Sequence, residues 1–310
     1  MKRNIVNAVW SDPHRTHLPR PGASASSSRR KFDRIDWLLD RMGPEGKTRV
    51  CRGAPLSRPA QVEIHPYCGA QQRPCTNCCV WCTKWADKAA LVRFRERGIL
   101  PERLLAFIHG FAGAGVPEFA LAGNSTEPLL YPLIGEVMRA IKEIGSDLRL
   151  YTNFQFGHEV VAVASCLTEG DLIRISLDAG SAAAYDATHQ PCIQGAFERI
   201  LANVDDLLRE RERHGRAFSV VLTFLATRDN VAEADLRFIM RWAGEHGADA
   251  VRFVRPLIPS GHPQAVHSLT DAEARDVQLA IGRIADDLDA ATQFVFALAG
   301  DTETAKPFAA

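Results

Sequence analysis

The 310-residue chain has no run of about 18 apolar residues, so no segment reads as a membrane-spanning helix. Its first residues, MKRNIVNAVWSDPH, lack the apolar stretch of a secretory signal, and the expected location is the cytoplasm. Net charge is also missing. The 37 Lys and Arg are matched by 37 Asp and Glu, which argues against a general nucleic-acid coat. The asymmetry that exists lies at one end, where residues 1–60 hold thirteen Lys or Arg and five Asp or Glu. Apolar residues are not scarce. At 46% of the chain they exclude general disorder and supply a sizeable core.

Residues 1–31 have little apolar surface to offset the entropy of ordering, least of all in the small, polar and basic stretch 18–31. The spacing of Phe32, Ile35, Trp37, Leu38, Leu39 and Met42 predicts a short amphipathic helix that stops at Gly43-Pro44. From residue 61 short β-prone runs alternate with helical patterns. Strands are expected at 61–67, 118–122, 148–153, 171–177, 218–226 and 250–255, with a terminal strand at 293–298. Helices are expected at 84–115, 129–144, 158–167, 195–213, 231–246 and 270–288. Six strand–helix repeats imply a parallel sheet with helices outside, and the strands are apolar on both faces as buried parallel strands are. About 200 residues for six units suits an α/β, partial (β/α)6 TIM-like barrel better than the full eight-unit barrel of about 250. The expected organisation is an N-terminal extension over 1–60, the barrel over 61–265, and a C-terminal helix and strand over 266–310.

Polar residues collect where these strands end. Gly123, Asn124, Ser125, Thr126 and Glu127 follow the second strand, Thr152 and Asn153 close the third, and Ser176 and Asp178 close the fourth. Parallel α/β topology brings all such ends to one rim, the place where barrels hold their active sites. Arg252 and Arg255 flank the sixth strand, and Arg255, nearer the rim, is a candidate to hold a carboxylate or phosphate.

Five of the eight cysteines fall within residues 68–82, which in a chain of this size suggests metal. The core of this segment, Cys75-Thr-Asn-Cys78-Cys79-Val-Trp81-Cys82, has two registers. Two abutting CxxC pairs would describe a structural zinc site, but zinc pairs commonly come from separated segments. Cys75, Cys79 and Cys82 give C-x3-C-x2-C, three thiolates for a cubane iron–sulfur cluster whose fourth iron stays open. Such an iron can chelate the amino and carboxylate groups of S-adenosylmethionine and deliver an electron to its sulfonium.

With Trp81 before its last cysteine, in the loop after the first strand, this motif resembles that of the radical SAM superfamily. Residues 123–128 stand where that family has Gly-Gly-Glu-Pro. Leu150-Tyr-Thr-Asn153 is similar to its third-strand Leu-x-Thr-Asn-Gly segment, with Phe154 in place of the glycine. Arg174-Ile-Ser-Leu-Asp-Ala-Gly180 is similar to its fourth-strand Arg-Val-Ser-Leu-Asp-Ser-Gly segment. The resemblance covers about residues 61–260. It implies a 4Fe–4S cluster on Cys75, Cys79 and Cys82. It also implies contacts to S-adenosylmethionine from Trp81, Gly123, Asn124, Ser125, Glu127, Thr152, Asn153, Ser176 and Asp178. With no cysteine beyond Cys192, a single cluster is expected. Cys192, in the loop expected over 188–194, is a candidate to quench a substrate radical, and Tyr185 and His189 are candidate substrate contacts beside it. A flavodoxin or ferredoxin would be the reductant. The resemblance favours a small-molecule substrate, first a sugar or nucleoside intermediate of antibiotic biosynthesis. A ribosomal peptide, its acidic leader held by the basic N-terminus, is the alternative. A zinc-dependent nucleic-acid binding module is the alternative of another class.

Overall fold

The computed structural model describes residues 6–10, 59–69, 74–82, 98–123, 126–215, 218–256, 258, 261–288 and 292–297. Among these residues one sheet carries eight strands in chain order: β1 (Val6–Trp10), β2 (Pro59–Ile64), β3 (Glu118–Leu121), β4 (Asp147–Thr152), β5 (Leu172–Ser176), β6 (Ser219–Leu225), β7 (Ala250–Val254) and β8 (Gln293–Ala297). Strands β2 to β8 are all parallel. The crossovers hold α1 (Pro101–Gly110), α2 (Ile134–Glu143), α3 (His158–Val161), α4 (Ala182–His189), α5 (Ala196–Arg213), α6 (Glu233–His246) and α7 (Asp271–Asp287). Among the described residues the sheet does not close on itself, so the architecture is the expected partial barrel.

Alternation builds each strand. In β4, Leu148, Leu150 and Thr152 are buried, and the two leucines join the apolar layer beneath the helices. Asp147, Arg149 and Tyr151 alternate with them and stay half-buried on the other face. The helices answer with a 3.6-residue stripe. Phe197, Ile200, Val204, Leu207 and Leu208 of α5 are all buried. The helix α7 begins with a capping box, Thr270 accepting from the Glu273 N–H while the Glu273 carboxylate accepts from the Thr270 N–H.

Three differences from the sequence reading stand out. Residues 6–10, expected to be poorly ordered, form β1, antiparallel to β2 with Val6 opposite Ile64. That pairing covers the backbone edge that β2 would otherwise leave open. The terminal strand β8 pairs in parallel with β7, so the sheet holds seven parallel strands rather than six. The helix α4 occupies a stretch expected to be a loop. The helix expected over 32–42, the basic stretch 18–31 and the part of the first crossover over 83–97 lie outside the described residues. No helix among the described residues is long and apolar enough to cross a membrane.

Candidate active site

The cysteine loop runs over the C-terminal rim of the sheet and is held from two sides. On the β3 side, Pro74 O accepts the Glu127 N–H at 2.6 Å. On the α4 side, the Cys78 N–H donates to His189 O at 2.8 Å and the Val80 N–H to Thr188 O at 2.9 Å. The last carbonyls of a helix have no partner inside it, and here the loop amides satisfy them. Just past α4, the Cys192 N–H donates to Thr76 O at 2.9 Å.

The loop faces a cavity of about 600 Å³. Cys75, Cys79 and Cys82 line it, and Cys78 is not among its described lining residues. Burial, and then the Glu127 carboxylate, push the Cys75 thiol up to about 12. Burial, and then Cys75 and Cys82, hold Cys79 well above the ordinary thiol range. Neighbouring thiols that resist ionisation need a cation's charge to become thiolates. Among the described residues no three His, Cys, Asp or Glu side chains converge closely enough to hold one metal ion. A cubane takes each thiolate on a different iron, and three thiols lining one cavity fit a cluster held by three cysteines.

Glu127 anchors the site from below. It is buried and accepts three hydrogen bonds, from the Thr152 hydroxyl, from the Asn153 N–H at 2.8 Å and from the Leu129 N–H at 3.1 Å. Burial still pushes its carboxyl up to about 7, against the pull of those donors. Gly123 is required for the turn before it, since a Cβ there would stand 1.6 Å from Thr126 O. Asn153 continues the network. Its amide donates to Thr76 Oγ1 at 3.0 Å and lies 3.8 Å from Cys75 Sγ.

Asp178 adopts φ 53° at the end of β5. Its Oδ1 accepts the Leu225 N–H at 2.6 Å and its Oδ2 lies 3.2 Å from His189 Nε2. The His189 ring is stacked on Tyr185, with centroids 4.0 Å apart, and meets Trp81 edge-on at 4.9 Å. Tyr185 is fixed in turn by hydrogen bonds to its hydroxyl from the Asn77 and Gln155 amides, both at 3.0 Å.

Phe154 has φ 60°, the left-handed conformation that a glycine would adopt without strain. Its ring is buried, and Gly157 makes room for it. A Cβ on Gly157 would lie 2.5 Å from that ring and 2.7 Å from Asn203 Cβ. Gly157→Ala is expected to cost about 2 kcal/mol by over-packing, read from the denaturant midpoint of the purified protein. An unchanged midpoint would mean that the ring has another place to go.

The structure brings together Trp81, Gly123, Glu127, Thr152, Asn153, Ser176 and Asp178 around the same cavity as the three cysteines. Asn124 and Ser125 lie outside the described residues. Cys192 is exposed and is not among the described lining residues. What it gives the site is its backbone N–H, which donates to Thr76 O of the cysteine loop. His189 lines the cavity from a helix rather than a loop, and Tyr185 is buried behind it. Arg255 is engaged by Asp271 at 2.7 Å, at the start of α7. Sequence reasoning missed Glu63, His65, Tyr151 and Thr223, which also face the cavity. Their signal was strand alternation, which sets Gln61, Glu63 and His65 on one side.

A parallel partial barrel with a three-thiol loop over its C-terminal rim is the architecture of radical SAM enzymes, and this chain has their fold. Streptococcus suis SuiB bound to S-adenosylmethionine superposes with a TM-score of 0.59 at 14% identity, over 77% of this chain and 50% of SuiB. SuiB bound to its precursor peptide SuiA gives 0.61 at 13% identity, over 93% of this chain and 57% of SuiB. A radical SAM methyltransferase from Sphaerobacter thermophilus gives 0.52 at 14% identity, over 80% of this chain and 70% of the other. The chain thus spans about half the length of SuiB. No protein-family model matches the chain, and no curated protein sequence does.

Proposed function

We propose that the chain is a radical SAM enzyme with one 4Fe–4S cluster held by Cys75, Cys79 and Cys82. The observation that carries this reading is the sorting of the cysteines, since these three face one cavity and Cys78 does not. When bound, the cluster supplies the electron that splits S-adenosylmethionine into methionine and a 5′-deoxyadenosyl radical.

The chain's own residues position and shield that chemistry. Glu127 holds the β3 and β4 loop ends together through its three accepted hydrogen bonds, which fixes Asn153 beside Cys75. Trp81, backed by His189 and Tyr185, forms an aromatic wall against which an adenine can pack. Gly123 lets the backbone approach the bound cofactor closely, and Thr152, Ser176 and Asp178 offer polar atoms to its methionyl and ribose parts. A flavodoxin or ferredoxin would reduce the protein.

For the substrate, a cavity of about 600 Å³ fits a small molecule, with a sugar or nucleoside intermediate first. The likeness to SuiB, which was solved with a precursor peptide, supports peptide modification as the second reading.

The test is anaerobic reconstitution with iron and sulfide, then dithionite and S-adenosylmethionine, with 5′-deoxyadenosine read by chromatography. A brown protein that forms 5′-deoxyadenosine is expected. A colourless protein that holds zinc and forms none would overturn the reading. Candidate sugars, nucleosides and peptides are then compared by their stimulation of S-adenosylmethionine cleavage.

A further inference from the structure

The interior of the barrel beneath the cavity is charged in layers. In the lower layer the charge is matched. Glu118 of β3 accepts from Arg149 Nε of β4 at 2.6 Å and from the Gln61 amide of β2. One layer nearer the cavity the matching stops. Arg174 of β5 pairs in register with Tyr151 of β4, and its guanidinium carbon lies 4.9 Å from the Tyr151 ring centroid. Tyr151 lines the cavity, whereas Arg174 and Arg252 are not among its described lining residues and stand behind it, and the buried Arg174 Nε has no hydrogen-bond partner among the described residues. Arg252 of β7 has neither an ion pair nor a hydrogen bond among the described residues. Burial, and then the positive charge of Arg174, draw Arg252 below the usual guanidinium range.

Among the described residues no acid pairs with either arginine. Glu118 serves Arg149. Glu63 Oε1 lies 3.0 Å from His65 Nε2, an ion pair only when that ring is protonated. Asp178 and Glu127 are held by the backbone donors described above. One further group is in place. Thr223 of β6 is the register neighbour of both Arg252 and Ser176, it lines the cavity, and its buried hydroxyl has no partner among the described residues. Two half-buried guanidiniums that repel one another with no acid between them are costly in the empty protein. Such an arrangement is stable once an anion accepts from both, and guanidiniums suit the oxygens of a carboxylate or phosphate.

We propose that Arg174 and Arg252, with the Thr223 hydroxyl, form an oxyanion-binding floor that holds a carboxylate or phosphate group of the substrate. The proposal deepens the radical SAM reading and rests on it for the word substrate. Its position separates it from the cofactor. Arg174 comes two residues before Ser176 within β5, and Arg252 lies inside β7, whereas the thiols and Glu127 sit in loops beyond the strand ends.

Inorganic phosphate and acetate are the probes, titrated into the reconstituted full chain against chloride at constant ionic strength. The readouts are the melting temperature and the line width of the phosphate phosphorus signal. The wild type is expected to gain melting temperature from at least one of the two anions. A gain from phosphate alone assigns a phosphate group, and a gain from acetate alone assigns a carboxylate. Arg174→Gln and Arg252→Gln should each weaken that binding by about tenfold or more. Without anion, Arg252→Gln should melt about 2 °C higher than the wild type, because an unmatched charge is gone. A merely structural arginine would lower the melting temperature instead. Arg252→Lys keeps the charge, loses the fork, and should bind with intermediate strength.

Equal anion effects in wild type and variants would mean an adventitious ion only and would overturn the floor. Loss of S-adenosylmethionine affinity in the variants, with anion binding intact, would also overturn it by giving the arginines to the cofactor. Cleavage of S-adenosylmethionine by the wild type, measured separately, keeps the two readings apart. A wild type that cleaves it and takes up neither anion sinks the floor alone. One that takes up an anion through these arginines and cleaves nothing supports the floor as an anion site and sinks the enzyme reading.

Discussion

Cys79→Ala is expected to give a colourless protein that makes no 5′-deoxyadenosine, while Cys78→Ala, one residue away, keeps both colour and cleavage within about twofold of wild type. Cys79 lines the cavity with Cys75 and Cys82. What Cys78 contributes is its backbone N–H to His189 O, which alanine retains. A cubane with two protein thiolates has lost one of its three fixed corners, so the loss should be close to complete. Iron and sulfide content, the visible absorbance and the chromatographic yield check the pair together. Two CxxC zinc pairs would make both variants equally damaging, so equal damage would sink the assignment of ligands.

Glu127→Ala is the second large effect, and it needs no cofactor to be seen. The substitution leaves three donors without their acceptor, the Thr152 hydroxyl and the N–H groups of Leu129 and Asn153. A buried donor left unsatisfied costs about 1–3 kcal/mol, offset here by release of a carboxylate that burial already disfavours. The net expectation is a loss of about 3 kcal/mol in urea unfolding of the metal-free protein. Glu127→Gln should fall between, because it keeps one acceptor oxygen and sets an amide N–H against a donor. A loss of less than about 1 kcal/mol for the alanine variant would show that water replaces the carboxylate and that the loops do not depend on it.

The strand ends were legible because each is fixed by two independent signals, an apolar run and a polar residue where it meets the rim. Thr152 and Asn153 illustrate this, as do Ser176 and Asp178. The helix α4 was not legible, because its apolar periodicity is weak. Only Tyr185, Thr188 and His189 are buried on it, and its strength comes from the Ser181 cap and a run of alanines. Reading the cap rather than the period would have found it. The strand β1 was hidden by its setting, since the sequence after it is small and polar and the composition of the whole stretch masks five residues. The two arginines show a limit of another kind. Arg255, a candidate to hold a carboxylate or phosphate, is engaged by Asp271 of an outer helix, whereas Arg252 has no acidic partner among the described residues. Which of two nearby cations is neutralised depends on long-range pairing that spacing along one strand does not encode.

The two carbonyls at the end of α4 carry a consequence for exchange kinetics. Because Thr188 O and His189 O accept from the cysteine loop, fraying of that helix end and release of the loop are one local opening event. Whatever binds the thiols in the closed form lowers the population of the open form in proportion to its binding strength. Deuterium uptake at the backbone of residues 185–190 therefore reports on occupancy at the cysteines, although none of those residues is a ligand. It should slow with cluster assembly and speed up again as the cluster is oxidatively lost.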